Sequence, residues 1–243
     1  MESKLTKAIR ISPSMCDSSG RLGIPDTASL FMDIAAEHSD RLGIGQIKLK
    51  SEGGFWLTIK TIMRFYRKPG FSEEAELSTW PEYPEKRRCY RDYLLSGTDG
   101  PLAAGKTEWG ILDMDTGRLR HLDSIYPAGL ELSDISALSD EFVRFDEDMS
   151  ADDILGTFIV RSTDIDLGNH MNNVAYIRAF ASLFSSSDWN RMDIKFIEIW
   201  YRSQSLEGDV ITARKRERGD CSEVSFFKED GTCTAQIRYR CGS

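Results

Sequence analysis

The sequence contains the same succession of structural signals twice, and this internal repeat limits the possible folds more than any other feature. In each half, a short strand and a polar loop lead into an apolar helix, which a long strand and several shorter strands follow. A hairpin turn is predicted in each half, at Asp99-Gly100 and at Asp230-Gly231. The chain of 243 residues is therefore predicted to form two units of the same fold.

The apolar spacing within each half indicates how its elements pack. Helical spacing predicts a helix that begins at Pro25 and ends before Gly43. Alternating apolar residues predict half-buried strands over residues 55–65 and 233–240. A single long apolar helix against a curved antiparallel sheet is the hotdog arrangement. The predicted fold class is α+β, with two tandem hotdog units, each an antiparallel sheet wrapped around a long buried helix.

An acidic segment separates the two halves. Residues 134–153 contain eight acidic residues against one arginine, so the remainder of the chain carries only −1 of the net charge of −8. Such a composition, with little periodicity, is typical of a charged linker laid over the surface. We predict an N-terminal unit over residues 1–133, a linker over residues 134–154 and a C-terminal unit over residues 155–243.

One polar stretch, residues 164–176, gathers reactive groups at the start of the second apolar helix. Asp166 and His170 lie four positions apart across Gly168, whose backbone freedom lets both side chains face one bound group. Free N–H groups at a helix start stabilise a carbonyl oxygen that gains negative charge, which favours acyl transfer. The alternative is that a polar loop merely caps the helix. The candidate residues are Asp166, Gly168, Asn169, His170, Asn172 and Asn173.

Several other classes of protein are disfavoured. The first residues have no apolar run typical of a signal peptide, and no stretch approaches the roughly 18 apolar residues of a membrane span, so a cytoplasmic protein that does not enter membranes is expected. Five scattered cysteines and three histidines argue against a metal site. The segment Gly43-Ile44-Gly45 has Lys48 where a dinucleotide fingerprint requires glycine. No metal, cofactor or nucleic acid is expected.

The motifs of both halves resemble those of the acyl-acyl-carrier-protein thioesterases, over nearly the whole chain. In the second half the resemblance rests on Arg161, Asp164-Ile165-Asp166, His170, Asn172-Asn173 and Tyr176. In the first half it rests on residues 17–20, Ala35-Ala36-Glu37-His38, Leu42-Gly43-Ile44-Gly45, Trp56, Thr79-Trp80-Pro81, Arg91-Asp92-Tyr93, Trp109 and Asp115-Thr116-Gly117-Arg118. It implies an enzyme that hydrolyses fatty acyl thioesters on acyl carrier protein and releases free fatty acid. Monomer and homodimer both remain open.

The sequence departs from the family pattern at three positions. The family usually has Asp-x-Asn-x-His, and here the middle position is Gly168 while Asn169 is displaced by one. An acidic residue usually lies three positions after the tyrosine of the later strand, and here Tyr201 is followed by Gln204. Plant members often have cysteine at the next position, which is Ser205 in this chain.

The resemblance implies catalytic roles for three residues. Asp166 is expected to act as general base on water or to attack the carbonyl directly, and both roles stay open. His170 is expected to share the proton or to orient the water. Gln204 cannot act as a base, so its expected role is to orient water or substrate.

The first unit is expected to bind the acyl tail rather than to catalyse. Counting from the glycine of each loop, Leu22 stands where the second half has His170, so one active site per chain is predicted. The residues expected to line the groove for the tail are Leu30, Ile34, Ile59 and Met63.

Two alternatives remain beside hydrolysis of acyl carrier protein thioesters. One is hydrolysis of acyl-CoA, and the other is a sensor that binds acyl chains without cleaving them. An acidic carrier is expected to dock on a basic face. The candidate basic runs are Lys86-Arg87-Arg88 with Arg91, Arg64 with Arg67-Lys68, and Arg214-Lys215-Arg216 with Arg218.

Overall fold

The computed structural model describes residues 2–122, 125–133, 135–145 and 153–242. The chain divides into two compact units, Met1–Asp140 and Glu141–Ser243. The boundary falls inside the segment predicted as a linker, residues 134–154. Part of that segment, Asp134 and residues 146–152, lies outside the described residues.

The first unit is an antiparallel sheet of five strands with a long helix packed on it. The strand order in the sheet is β1-β3-β4-β5-β2. Phe31 of the long helix stacks on Tyr93 of the sheet, with ring centroids 4.9 Å apart. The elements in chain order are β1 (Leu5–Arg10), α1 (Ile24–Arg41), α2 (Gln46–Ser51), β2 (Gly54–Phe65), β3 (Glu74–Pro81), β4 (Cys89–Gly97) and β5 (Gly100–Asp113).

The second unit has a sheet of the same kind. Its strand order is β6-β8-β9-β10-β7, and its helix contributes Phe180, whose ring centroid lies 5.1 Å from that of Tyr239 in the sheet. The elements are β6 (Asp153–Ile159), α3 (Asn173–Ser182), α4 (Ser186–Arg191), β7 (Ile194–Tyr201), β8 (Val210–Arg218), β9 (Cys221–Lys228) and β10 (Cys233–Cys241).

The two units repeat each other element by element. Both run through strand, 3-10 turn, long helix, short helix and four further strands, and each strand takes the same place in its sheet. The predicted α+β fold with two tandem hotdog units is therefore confirmed. Gly43, with φ of 72°, follows the end of α1 as predicted. The short helices α2 and α4 had not been predicted, because six residues carry too little periodicity to be recognised.

A bulge in β2 changes the predicted alternation of its faces. The register with β5 shifts at Ile59. Met63 pairs with Gly105, where an added Cβ would lie 2.7 Å from Phe31 of α1, so Met63 belongs to the face that packs on α1. Gly110 lies five residues after Gly105 in β5 and therefore faces the other side of the sheet. An added Cβ at Gly110 would lie 3.3 Å from Cδ1 of Ile59. Ile59 therefore lies on the face opposite to Met63.

The described residues of the predicted linker contact the sheets rather than solvent alone. We call residues 135–145 the linker segment. In the first unit, the indole N–H of Trp80 donates to the Ile135 carbonyl, and Asp140 pairs with Arg64. Asp92 of β4 accepts hydrogen bonds from the Ser136 hydroxyl (2.9 Å) and from the Ala137 amide (2.8 Å).

In the second unit, the linker segment meets a buried ion network. The Val143 amide donates to Glu198 of β7 at 3.0 Å, and Arg238 of β10 donates to the Val143 carbonyl. Arg238 also pairs with Glu198 and with Glu223, at 2.8 and 2.6 Å. The ring of Phe145 covers the guanidinium at 4.3 Å. These contacts explain why β10 is buried on its polar face as well as on its apolar face.

Candidate active site

The predicted site loop between β6 and α3 is a tight hairpin. The Asp166 amide donates to the His170 carbonyl at 3.0 Å, and the Asn169 amide donates to the Asp166 carbonyl at 3.0 Å. Asn169 has φ of 62°, and Oδ1 of Asp166 accepts the Gly168 amide at 2.7 Å. This is a type I turn followed by a left-handed residue, in which an aspartate at the first position is favoured.

This hairpin brings Asp166 and His170 together. Ile165 and Met171 form an antiparallel bridge, so the next residues inward, Asp166 and His170, stand opposite each other. Opposite residues of an antiparallel pair project to the same face. Both residues are half-buried, which leaves their side chains open to a ligand.

The start of α3 presents backbone N–H groups that follow this pair directly in the chain. The Asn172 side chain accepts the Val174 amide at 2.8 Å, and the Asn172 carbonyl accepts the Ala175 amide at 2.9 Å. The Asn172 amide itself donates to the Asp164 carbonyl. Within the described residues, the Asn173 N–H is the amide of this turn that retains no acceptor. The predicted asparagine cap therefore accepts hydrogen bonds from some of the N–H groups that were expected to bind a carbonyl oxygen.

Gln204 lies in the loop after β7 and is exposed. Its neighbour Ser205 accepts the Met171 amide at 2.8 Å through its carbonyl. That bond fixes the Gln204 loop against the segment that contains His170.

Three side chains near the loop are absent from the predicted site residues. The hydroxyls of Tyr176 and Ser205 are 2.8 Å apart and buried, and the Tyr201 hydroxyl donates to the Asn173 carbonyl at 3.3 Å. The rings of Tyr176 and Tyr201 meet edge to face at 5.9 Å. A tyrosine on an otherwise apolar helix was the available signal, since its buried hydroxyl requires a partner.

The first unit contains the same hairpin without the same side chains. The Asp17 amide donates to the Arg21 carbonyl at 2.8 Å, and the Gly20 amide donates to the Asp17 carbonyl at 3.0 Å. Oδ1 of Asp17 accepts the Ser19 amide at 2.9 Å, and Gly20 has φ of 73°. Gly20 thus corresponds to Asn169 rather than to Gly168.

This correspondence corrects one expectation from the sequence. The residue that takes the place of His170 in the first unit is Arg21, not Leu22. Leu22 corresponds to Met171, since Cys16 and Leu22 form the bridge that Ile165 and Met171 form in the second unit. Glycine spacing misleads here because Gly20 and Gly168 occupy different turn positions: Gly20 takes the position of Asn169, one residue after Gly168.

The residues predicted to line an acyl groove do not share one environment. Ile34 and Met63 are buried in the packed core, Leu30 is half-buried on α1, and Ile59 lies on the opposite face of the sheet. A surface cavity of about 360 Å³ in the first unit involves none of them. It is lined by Tyr83, Pro84, Tyr126, Pro127, Leu130 and Leu132.

Much of the basic charge predicted to attract a carrier is paired within the chain. Arg91 is buried and donates to Nδ1 of His38 at 2.9 Å, so it is not part of a surface. Other members of the predicted runs have acidic partners: Arg64 with Asp140, Arg67 with Glu73, Arg88 with Glu108 and Lys215 with Glu217.

The fold defines the chain as a tandem hotdog protein with a polar hairpin loop before the long helix of each unit. Residues 2–127 match the model of the acyl-ACP thioesterase N-terminal domain, and residues 147–240 match that of the acyl-ACP thioesterase C-terminal domain. The chain belongs to the acyl-ACP thioesterase family. Among the described residues, no helix combines the length and apolarity needed to cross a membrane.

Among the sequence relatives are plant proteins. The chloroplastic oleoyl-acyl carrier protein thioesterase 2 of Arabidopsis thaliana is 21% identical over 206 residues, which are 77% of this chain and 56% of that protein. The chloroplastic palmitoyl-acyl carrier protein thioesterase of Cuphea hookeriana is 24% identical over 177 residues, which are 64% of this chain and 42% of that protein. The chain spans about half the length of the curated relatives that it matches.

Solved structures match the whole fold. An acyl-ACP thioesterase from Bacteroides thetaiotaomicron superposes with a TM-score of 0.88 at 19% identity, covering 99% of this chain and 98% of that one. The 12:0-ACP thioesterase from Umbellularia californica superposes with a TM-score of 0.84 at 15% identity, covering 100% of this chain and 99% of that one. At these identities the match establishes the fold of both units.

Proposed function

We propose that the chain hydrolyses fatty acyl thioesters carried by acyl carrier protein and releases the free fatty acid. The observation that carries the proposal is the hairpin before α3, which sets Asp166 opposite His170 beside a free helix N–H, within a chain of this family. The first unit has the same hairpin without the histidine, so the second unit is the catalytic one. A cytoplasmic location belongs to the proposal and agrees with the free cysteines.

In the proposed reaction, the Asn173 N–H polarises the thioester carbonyl at the positive end of α3. Asp166 acts as general base on a water molecule, or attacks the carbonyl carbon to give a mixed anhydride that water then cleaves. His170 shares the proton with Asp166 or orients the water. Gln204, on the adjacent loop, orients water or substrate, because its amide cannot remove a proton.

The hairpins offer a matched test of this assignment. Asp166→Asn keeps the Oδ1 that accepts the Gly168 amide, so the turn is preserved while the base is removed. Asp17→Asn makes the same change in the first unit, where Oδ1 accepts the Ser19 amide. We expect Asp166→Asn to lower kcat/KM by more than about a hundredfold on an acyl carrier protein thioester. Asp17→Asn should match the wild type.

The same assay separates the proposal from its alternatives. Wild-type protein is compared on palmitoyl or oleoyl thioesters of acyl carrier protein and of CoA. Faster turnover of the CoA thioester would make the chain an acyl-CoA thioesterase. Binding of both without turnover would make it a sensor. Near-normal turnover by Asp166→Asn would remove Asp166 from the reaction.

A further inference from the structure

The loop that follows β7 is held against the site loop by two different bonds. One is a backbone bond, from the Met171 amide to the Ser205 carbonyl at 2.8 Å. The other joins side chains, with Tyr176 Oη and Ser205 Oγ 2.8 Å apart. Tyr176 is buried in the first turns of α3, and Ser205 is 0% exposed. Gln204, the residue before Ser205, is exposed.

The first unit shows which of the two bonds the fold requires. There the Leu22 amide donates to the Pro69 carbonyl at 2.9 Å, which reproduces the backbone bond. Pro69, at the place of Ser205, has no hydroxyl. Thr27, at the place of Tyr176, directs its hydroxyl to the Gly23 carbonyl of its own helix. The loop therefore forms without the side-chain bond, and only the unit with the Asp166–His170 pair has added it.

The surroundings keep the side-chain bond in one geometry. The Tyr176 ring packs edge to face on Tyr201 and on Phe226, at centroid distances of 5.9 and 6.1 Å. Burial raises the pKa of Tyr176, so its phenol stays protonated and can donate to Ser205. The Ser205 hydroxyl has no exposed surface through which to reach a substrate.

We propose that Tyr176 and Ser205 are positioning residues, which act through their hydroxyl–hydroxyl bond to fix the Gln204 loop relative to His170. The inference rests on the proposed hydrolysis. Ser205, although it follows the position of a family acid, is not a nucleophile. Loss of either hydroxyl leaves the hairpin formed but displaces the groups that orient water. A displacement of that kind lowers turnover more than substrate binding.

The test is a double-mutant cycle of Tyr176→Phe and Ser205→Ala. Each single variant should lower kcat on the acyl carrier protein thioester by about tenfold to a hundredfold, with KM within about twofold of the wild type. The double variant should match Tyr176→Phe, which removes the bond to Ser205 together with the contact of its phenol to the Thr234 hydroxyl. The control is Thr27→Val, which removes the corresponding hydroxyl in the first unit. Its kcat should equal that of the wild type, since the Gly23 carbonyl still accepts the Thr27 amide.

Hydrogen exchange provides a readout that does not depend on activity. Deuterium uptake of peptides covering residues 166–173 should rise in both single variants, while uptake over residues 17–24 stays at the wild-type rate. A merely global loss of stability would raise both and would contradict the proposal.

Three kinetic outcomes would overturn the inference. Full activity in all variants would show that the bond positions nothing. Losses that multiply in the double variant would show independent roles. Complete loss in Ser205→Ala, with Tyr176→Phe unaffected, would make Ser205 the nucleophile. If the wild type hydrolyses no acyl thioester, the proposed function fails first and this inference fails with it.

Discussion

The two hairpin loops share a backbone and differ in their side chains. In both, an aspartate opens the turn, a residue with positive φ closes it, and the aspartate accepts an amide two residues on. Asp166 therefore stabilises its turn in the same way as Asp17 does. What distinguishes the second loop is His170 in place of Arg21. An aspartate at this position is therefore explained by the turn in both units, and the residue opposite it is the difference on which the proposed function depends.

The two sheets also anchor the linker segment by opposite means. In the first unit Asp92 receives the segment beside a second carboxylate, Glu82. In the second unit Glu198 receives it beside a cation, Arg238. The same connection therefore contacts a buried carboxyl group in one unit and an ion network in the other.

The largest expected effect concerns the ion network. Arg238→Met should destabilise the protein by about 3–5 kcal/mol, because among the described residues Glu198 would remain buried without a cation and Glu223 would keep only the more distant Arg218, at 3.8 Å. The comparison is with Arg88→Met in the first unit, which removes one partner of the buried Glu108: Glu108 keeps Lys60 at 2.9 Å, and the Arg88 side chain is 48% exposed. That variant should lose less than about 1 kcal/mol.

Urea unfolding followed by circular dichroism measures both variants. Equal losses at the two positions would show that the network in the second unit is no more important than a surface pair. A stable Arg238→Met protein would show that the carboxyls take up protons at little cost.

The second-largest effect is expected when the residues opposite the two aspartates, His170 and Arg21, are exchanged. His170→Arg places opposite Asp166 the residue that the first hairpin has opposite Asp17, and should lower kcat/KM by at least about a hundredfold, or about 2.7 kcal/mol. Arg21→His makes the reverse change and should leave kcat/KM unaltered. Both are measured on the acyl carrier protein thioester. A gain of activity in Arg21→His that persists in the His170→Arg background would mean that the first hairpin can also catalyse.

The two units also show which features of the structure the sequence alone predicts. The repeat, the long helices and the hairpins were predictable, because each rests on a local period or on turn residues. The position of Asp166 opposite His170 in the backbone was predictable as well, since both lie within one short loop. These are features that neighbouring residues determine.

Other features depend on pairing between distant strands and were not predictable. The correspondence of Arg21 to His170 follows from the bridges that close each loop, and glycine spacing gave a different answer. The placement of Ile59 depends on a bulge that is visible only against β5. The bond between Tyr176 and Ser205 joins residues 29 positions apart, with no spacing rule to connect them.

A smaller effect is expected from pH, and it distinguishes the two anchors of the linker segment. Burial, and next the carboxyl of Glu82, raise the pKa of Asp92 to about 7. The folded protein then holds a proton that the unfolded chain releases near pH 4, so the free energy of unfolding should fall as pH rises from about 4 to about 7. The slope is at most about 1.4 kcal/mol per pH unit. Glu82 itself pairs with Lys106 at 2.7 Å.

Asp92→Asn supplies the control for this pH dependence. The amide retains an oxygen for the Ser136 and Ala137 donors but cannot titrate. Urea unfolding of both proteins at pH 5 and pH 7.5 should show a fall in the wild type that the variant lacks. Parallel behaviour of the two proteins would assign the pH dependence to other groups.

The smallest effect concerns the proposed division of labour, in which the first unit binds the acyl tail. Leu30 is the half-buried member of the predicted groove on α1, so a larger side chain there has room to act without overpacking the core as it would at Ile34. Each buried methylene of a tail contributes roughly 0.8 kcal/mol, so Leu30→Trp should shift the released fatty acids to chains shorter by a few carbons.

Ala36→Trp, on the exposed face of the same helix, is the control and should leave the profile unchanged. The measurement is the chain-length profile of free fatty acids in a bacterium that expresses each variant. A shift with Ile59→Trp and none with Leu30→Trp would place the groove on the other face of the sheet, and an unchanged profile in every variant would remove the first unit from tail binding.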